Sequence, residues 1–177
     1  MMAITLTIIN EALTRLIIPN ININIHDNIF NNGSGCVVGT CQNSNNGDNC
    51  LDDSNEQCME DGDRVGAGLA FSEVYGSGLV ANNQITYINQ EGQTVDGGGI
   101  YVAGAEDLLI KQNQISFCSA LDQGAGIYVN SGNVDIHENT ITSNYSGDGG
   151  SAIYIEDDAV VGVRGNIITN NTGEFAV

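Results

Sequence analysis

A short motif that recurs along the chain constrains its fold more than any other feature of the sequence. The motif reads aliphatic-x-x-Asn-x-apolar-small polar, and its five copies are centred on Asn28, Asn83, Asn113, Asn139 and Asn166. Successive asparagines stand 55, 30, 26 and 27 residues apart. A repeat of about 27 residues is too small to bury its own apolar face, so each copy has to stack on its neighbours.

A second motif recurs with the same spacing. It places Gly or Ala before an alternating apolar segment at 68–71, 99–102, 126–129 and 152–155. Gly, Asn and Asp turn residues separate these strand-like segments, and no helical period lies between them. The pattern predicts a parallel β-solenoid, in which equivalent positions of successive coils lie above one another, about 4.8 Å apart.

Aligning the copies predicts which side chains face the core. Three apolar columns are expected to point inward: Ile25, Val80, Ile110, Ile136 and Val163; Phe30, Ile85, Ile115, Ile141 and Ile168; and Leu69, Ile100, Ile127 and Ile153. The five motif asparagines form a fourth column, at a turn between two strands. There we expect stacked side-chain amides to bond one another and the backbone groups that the turn leaves unpaired.

A family resemblance rests on the asparagine motifs and on three glycine-led segments. These segments are Gly-Gly-Gly-Ile-Tyr-Val at 97–102, Gly-Ala-Gly-Ile-Tyr-Val at 124–129 and Gly-Ser-Ala-Ile-Tyr-Ile at 150–155. The chain resembles the right-handed parallel β-helix, or pectin-lyase-like, superfamily, and is most similar to its bacterial surface and secreted proteins. The resemblance covers 66–177 and 17–35. It implies an all-β, single-stranded right-handed parallel β-helix of about five coils, as one domain over 1–177. It implies no single function, because the superfamily includes lyases, hydrolases, epimerases, tailspikes and adhesins.

The step between the first two asparagine motifs is the longest, which indicates an insertion at about 33–65. It is either a surface loop, which its polar composition favours, or an irregular extra coil, which its length of about one repeat would suit. This insertion is polar and contains four cysteines: Cys36, Cys41, Cys50 and Cys58. They predict two disulfides and hence an oxidising, extracellular or cell-surface setting. Three pairings are open, and proximity favours first with second and third with fourth. The alternative is a four-cysteine zinc site, although the spacing lacks the paired short intervals typical of zinc. Cys118 lies outside the insertion and is predicted to be a small residue of the core.

Aspartate recurs at the turn before the second motif. Asp96, Asp122 and Asp148 stand 26 residues apart, and Asp63 is roughly in line with them. Stacked carboxylates repel unless a cation bridges them, a proton is retained or the turns splay apart. The column is therefore a candidate calcium site, and calcium is the one cofactor that the sequence indicates. The alternative is that aspartate is simply a favoured turn residue.

A stripe of cationic side chains is predicted two positions before the asparagine column. It contains both histidines and two of the four Lys and Arg residues, in the order His26, Ala81, Lys111, His137, Arg164. Such a concentration on a negative protein favours one of two roles. It either binds an anionic sugar or neutralises the acidic side chains beside it.

Three tyrosines form the other candidate ligand-binding column. Tyr101, Tyr128 and Tyr154 alternate with inward-facing apolar residues, which predicts an exposed ladder of stacked rings. Exposed rings suit a sugar or a partner surface. Alternatively, their stacking only stabilises the sheet.

Charge narrows the range of partners. The chain has 22 acidic side chains against 4 Lys and Arg, which gives a net charge of −18. Such a surface repels phosphate backbones and anionic lipid head groups, so we expect no nucleic-acid partner and no electrostatic membrane docking. No apolar run approaches the roughly 18 residues of a membrane span, so we expect no membrane insertion.

These features favour an extracellular, non-catalytic structural or recognition module. Its expected partner is a glycan or a surface protein, with a role in glycan binding, adhesion or cell-surface assembly. The alternative is a polysaccharide-active enzyme, a glycoside hydrolase or lyase, with acidic residues in a groove beside the tyrosines. The shortage of Lys and Arg weakens the case for a lyase, since lyases of the superfamily need a strong base and cationic side chains around a uronate. Open strand edges at the solenoid ends also predict self-association.

Overall fold

All regular structure in the described part of the chain is β-strand. The computed structural model describes residues 3–6, 22–31, 38–39, 59–60, 63–64, 68–88 and 96–173. The strands are β1 (Ala3–Leu6), β2 (Asn22–His26), β3 (Ile29–Asn31), β4 (Val38–Gly39), β5 (Met59–Glu60), β6 (Asp63–Arg64), β7 (Leu69–Ala81), β8 (Gln84–Thr86), β9 (Ile100–Lys111), β10 (Gln114–Ser116), β11 (Ser119–Ala120), β12 (Ile127–His137), β13 (Thr140–Thr142), β14 (Tyr145–Ser146), β15 (Ile153–Ile155), β16 (Ala159–Arg164) and β17 (Ile167–Thr169).

The strands stack as a parallel solenoid, as predicted. The largest sheet runs β1-β2-β7-β9-β12-β15, with β16 also beside β12 and β4 beside β7. A second sheet runs β3-β8-β10-β13-β17, and a third contains β11 and β14. Pairing in these three sheets is parallel, whereas the small β5–β6 pair is antiparallel. Each coil therefore forms one layer of the stack and contributes strands to the successive sheets.

The three predicted apolar columns are confirmed in register. Ile110, for example, pairs with Val80 on one side and with Ile136 on the other. The inner members of all three columns are fully buried in one continuous core. In the last coil Val163 and Ile168 are exposed, because no described strand covers their far side. Self-association through this end stays a prediction.

The number of coils is smaller than predicted. The described solenoid has about 3 turns instead of about five. Five motifs define four steps along the axis, and the first step contains the insertion, most of which lies outside the described residues. The predicted Cys-rich loop and its Cys36, Cys41, Cys50 and Cys58 therefore also lie outside them. Cys118, in contrast, is buried in the core as predicted.

The motif asparagines form the predicted ladder at the turn between the first and second sheets. The Oδ1 of Asn113 accepts hydrogen bonds from the backbone N–H and the Nδ2 of Asn83, both at 2.9 Å. Its Nδ2 donates to the Val80 carbonyl at 2.9 Å and to Asn139 Oδ1 at 3.0 Å. The same bonds join the other motif asparagines of neighbouring coils. The predicted structural role of this column is confirmed.

A second, shorter ladder lies at the next turn and was not predicted. Asn144 donates from Nδ2 to Asn171 Oδ1 at 2.9 Å and to the Ile115 carbonyl at 3.2 Å. Cys118 occupies the same position one coil earlier, and its backbone N–H donates to Asn144 Oδ1 at 2.9 Å. Its thiol lies 3.7 Å from the Ile85 carbonyl, the equivalent acceptor. The cysteine thus stands where the ladder has an amide.

Replacing Cys118 by asparagine should extend this second ladder by one coil. The new amide would reach the Ile85 carbonyl and add a net hydrogen-bond contribution of about 1 kcal/mol. For a protein of this size we expect a melting temperature higher by about 2–4 °C. Thermal unfolding followed by circular dichroism measures this. Cys118→Ser, whose hydroxyl is too short to reach, is the matched control, and an asparagine variant less stable than the serine variant would contradict the assignment.

Candidate functional site

The three tyrosines stack, as predicted. The ring centroids of Tyr101 and Tyr128 are 5.3 Å apart with an interplanar angle of 9°, and those of Tyr128 and Tyr154 are 5.4 Å apart at 14°. They occupy equivalent positions in β9, β12 and β15. With Ala70 and Ala103 they form a small apolar cluster separate from the aliphatic core. The alternation of side chains therefore placed these rings on the correct side of the sheet.

The prediction that this ladder is exposed is wrong for its first two rings. Tyr101 is only 3% exposed and Tyr128 only 4%, whereas Tyr154 is half-buried. A glycine turn folds over each ring, and Tyr101 and Tyr128 are in addition covered by the tyrosine of the next coil, which Tyr154 lacks in the described residues. A Cβ on Gly97 would lie 2.7 Å from the Tyr101 Cβ, and one on Gly124 would lie 2.5 Å from the Tyr128 Cβ. The observed burial favours the alternative of sheet-stabilising stacking, and the ligand-binding role of the ladder stays a prediction.

Carboxylates lie beside the hydroxyl end of the ladder. The Tyr128 hydroxyl donates to Glu156 Oε1 at 2.8 Å. Burial, the hydrogen bond to Glu156 and the charge of Asp96 together raise the pKa of Tyr128 well above its usual value. The pKa of Tyr154 is raised too, mainly by burial and by the charge of Glu156. Both phenols are therefore protonated at neutral pH, and the Tyr128 hydroxyl is a hydrogen-bond donor.

The four aspartates of the candidate calcium site do not form one column. Asp122 and Asp148 are equivalent, since the Asp148 N–H donates to the Asp122 carbonyl at 2.9 Å. Asp96 instead lies beside Gln123, whose N–H donates to Asp96 Oδ1 at 3.2 Å. Asp63 is part of the antiparallel β5–β6 pair. The regular 26-residue spacing was misleading because β9 has one residue more than β12 at a bulge between Val102 and Leu108, which shifts Asp96 by one position relative to Asp122.

Within the described residues, no three His, Cys, Asp or Glu side chains are close enough to hold a metal ion. Calcium binding therefore stays a prediction.

The cationic stripe exists as a column, and three of its side chains lie against carboxylates. His137 is the register neighbour of both Lys111 and Arg164. Arg164 forms an ion pair with Asp135, and His137 Nδ1 lies 3.9 Å from Glu138 Oε1. At the other end of the stripe, His26 Nδ1 and Asp27 Oδ2 form a hydrogen bond of 2.7 Å. These contacts favour neutralisation over a site for an anionic sugar.

An exposed aromatic pair was missed by the sequence reasoning. Tyr87 and Phe117 stack with ring centroids 4.9 Å apart and an interplanar angle of 8°. Their side chains are 45% and 44% exposed, far more than the tyrosine ladder. Both residues adopt φ = 56° at the turn after the second sheet, where later coils have Ser143 and Asn170. The signal in the sequence was the apolar residue directly after the small polar residue of two motifs.

With this geometry in place, comparison with known proteins assigns the family. The model of the right-handed β-helix region matches residues 64–176. The chain belongs to this right-handed β-helix family. No curated protein and no solved structure matches the chain. Within the described residues, no helix has the length and apolar character needed to traverse a lipid bilayer.

In this right-handed β-helix the charged side chains are distributed unevenly around each coil. No charged residue occurs in 83–88, 113–121, 139–147 or 166–173, which run from each motif asparagine through the second sheet and the following turn. We call the outer surface of these segments the neutral face. The aromatic pair and the exposed Tyr145 and Leu121 belong to it. The β-helix family fixes the fold but not the function, so the neutral face has to be judged by its own chemistry.

Proposed function

We propose that this β-helix is a non-catalytic recognition module that binds glycans at the cell surface or in the extracellular space. The exposed aromatic pair of Tyr87 and Phe117 carries the proposal. Flat aromatic rings with a large apolar surface are well suited to stacking against sugar rings. Each ring directly follows a strand of the second sheet, which restricts its position before a ligand arrives and so lowers the entropy cost of binding.

The extracellular location rests on the composition of the chain. Four cysteines within one short polar segment are typical of secreted and surface proteins. Calcium bound near Asp122 and Asp148 would also suit that setting, since weak calcium sites are common in extracellular modules. Adhesion and a structural role in cell-surface assembly are both compatible with glycan binding, because a rigid solenoid that holds a glycan can perform either role.

A polysaccharide-active enzyme is the second candidate, and one observation favours it. Glu156 accepts the hydrogen bond of the Tyr128 hydroxyl at 2.8 Å, and the charge of Asp96 contributes to the raised pKa of Tyr128. Glycoside hydrolysis uses a pair of carboxyl groups, one of them as an acid. Against this, the ring beside the two carboxylates is almost fully buried, which leaves little room for a sugar at the hydroxyl.

Binding and turnover measured in parallel distinguish the two candidates. The purified protein is run in affinity gels that contain galactomannan, hydroxyethyl cellulose or polygalacturonate, and the same polymers are assayed for new reducing ends and unsaturated products. We expect retardation by at least one polymer and no product. Product formation that is lost in Glu156→Gln would establish the enzyme instead. The absence of both retardation and product would overturn the proposal.

A further inference from the structure

The neutral face stands out because the rest of the protein is strongly acidic. The chain is 15% charged with a net charge of −18, so segments of this combined length would on average carry several charges. The charges of the same coils lie elsewhere, on the long strands and at the turns that precede them. Examples are Glu106 and Asp107 in β9, Asp135 in β12, and Asp148 before β15. A ligand that covers the neutral face therefore desolvates no charged group.

The fold does not require aromatic residues at the turn that presents them. A residue other than glycine in the left-handed region costs roughly 1–2 kcal/mol, and asparagine tolerates this conformation best. The later coils make the same turn with Ser143 and Asn170, at φ = 57° and 56°. Tyr87 and Phe117 bear this strain while leaving nearly half of each side chain in solvent. Stacking of the two rings and their partial burial offset only part of the strain.

Neutral hydrogen-bonding groups surround the two rings. Thr86, Thr142 and Thr169 share one column on the strands that lead into the turn. The Thr169 hydroxyl donates to Thr142 Oγ1 at 3.1 Å. The side chains of Gln84 and Gln114 are exposed at the start of their strands. The face thus offers threonine hydroxyl groups in three coils and glutamine amides in two, beside flat apolar rings, whereas Ser116 of the same column is buried.

Beyond the turn, Tyr145 is 56% and Leu121 53% exposed. Tyr145 lies in β14, directly beside Ser119 of β11. These two side chains extend the apolar surface of the neutral face past the aromatic pair. The sheet before the turn shows glutamine and threonine in its inner coils and the exposed Ile167 in its last coil. A stable protein interface of ordinary size has a continuous apolar centre, which this alternation of rings and neutral polar groups does not provide.

From these observations we infer that the neutral face binds a neutral polysaccharide. Its sugar rings stack on Tyr87 and Phe117, and its hydroxyl groups exchange hydrogen bonds with the threonine and glutamine side chains. This inference rests on the proposed glycan binding and names its ligand class and surface. A polyuronate is disfavoured because the acidic surface that surrounds the face repels it. A basic partner would bind instead to the acidic long-strand side.

The test replaces the two rings by the residues that the same turn already uses. Tyr87→Asn with Phe117→Ser should reduce affinity for galactomannan or hydroxyethyl cellulose at least tenfold in affinity gels, without lowering the melting temperature. Phe117→Leu, which keeps an apolar side chain but removes the ring, should give an intermediate loss. Val160→Ser is the matched control, because Val160 is 70% exposed but lies on β16 outside the neutral face. This control should bind like the parent protein.

Each of the following results would overturn the inference, and each indicates a different explanation. Unchanged binding of the neutral polymers by the double variant, or binding of polygalacturonate alone, would overturn the neutral-face assignment and leave glycan binding in place. Loss of binding in Val160→Ser as well would place the site on the long strands. If no polymer binds at all, both the inference and the proposed function are wrong. Self-association that the double variant abolishes would then identify the face as a protein interface.

Discussion

Replacing Asn113 by alanine should lower the free energy of unfolding by about 4 kcal/mol, the largest effect that we expect from one polar side chain in this protein. Asn113 is 2% exposed, and its side chain takes part in four hydrogen bonds. Alanine would leave the backbone N–H and the amide of Asn83 without their acceptor. It would also leave the Val80 carbonyl without its side-chain donor. Each such buried group that loses its partner costs about 1–3 kcal/mol.

Urea denaturation followed by circular dichroism measures this loss. A matching decrease of the melting temperature, by roughly 2–4 °C for each kcal/mol, should appear in thermal unfolding. Asn133→Ala is the control, since Asn133 is an exposed asparagine on β12 outside both ladders. It should change the free energy of unfolding by no more than about 0.5 kcal/mol. A loss at Asn113 no larger than the loss at Asn133 would show that the ladder bonds add little.

The ladder and the apolar columns could be predicted because two periods fix them. The side-chain period within a strand is two, and the coil length sets which residues of successive strands lie side by side. Once Asn83, Asn113 and Asn139 are aligned, every neighbouring position in their coils follows. The confirmed register of Ile85, Ile115 and Ile141 is a direct consequence.

The errors arose where the regular periods are interrupted, at a bulge and at a turn. Asp96 is one position out of register with Asp122 because β9 has one residue more than β12 at the bulge between Val102 and Leu108. The burial of Tyr101 depends on the positive φ of Gly97, which brings the turn over the ring. Alternation along a strand predicts the side on which a residue lies, but it does not predict what covers that side.

The neutral face was missed for a related reason. Its aromatic pair occupies a turn position that the asparagine motif does not include, and its second ladder has an asparagine in only two coils. The absence of charge is visible in the sequence, but only once the motif, the strand and the following turn are read as one surface. A search for catalytic or ligand-binding residue types draws attention to charged columns, such as the stripe that contains Lys111, and away from uncharged ones.

The tyrosine ladder gives the second large prediction. Tyr128→Ala should lower the free energy of unfolding by about 3–5 kcal/mol, as expected for loss of a buried aromatic side chain. The ring is packed between Tyr101 and Tyr154 and covered by Gly124. Tyr128→Phe keeps the ring and removes only the hydrogen bond to Glu156, so it should cost about 1 kcal/mol. Chemical denaturation of the two variants beside the parent protein measures the difference.

The same pair of variants has a pH signature. The pKa of Tyr128 is raised in the folded protein, first by burial and then by its contacts with Glu156. Its contribution to stability is therefore complete below pH 10, the unfolded value, and is lost as pH rises above it, because only the unfolded state then ionises. Burial raises the pKa of Cys118 to about 12, which adds a loss that begins near pH 9. Tyr128→Phe should therefore lose less stability than the parent above pH 10.

These measurements also decide whether the ladder belongs to the ligand site that the sequence predicted. If its role is packing, Tyr128→Ala destabilises the protein, and glycan affinity measured well below the melting temperature changes little. The neutral face would still be intact, because Phe117 lies on a different sheet edge and makes its ring contact with Tyr87. If Tyr128→Ala is as stable as Tyr128→Phe but no longer binds glycan, the glycine turn must open in solution to expose the ring. The binding surface would then be the tyrosine ladder, and the strain at the aromatic pair would need another explanation.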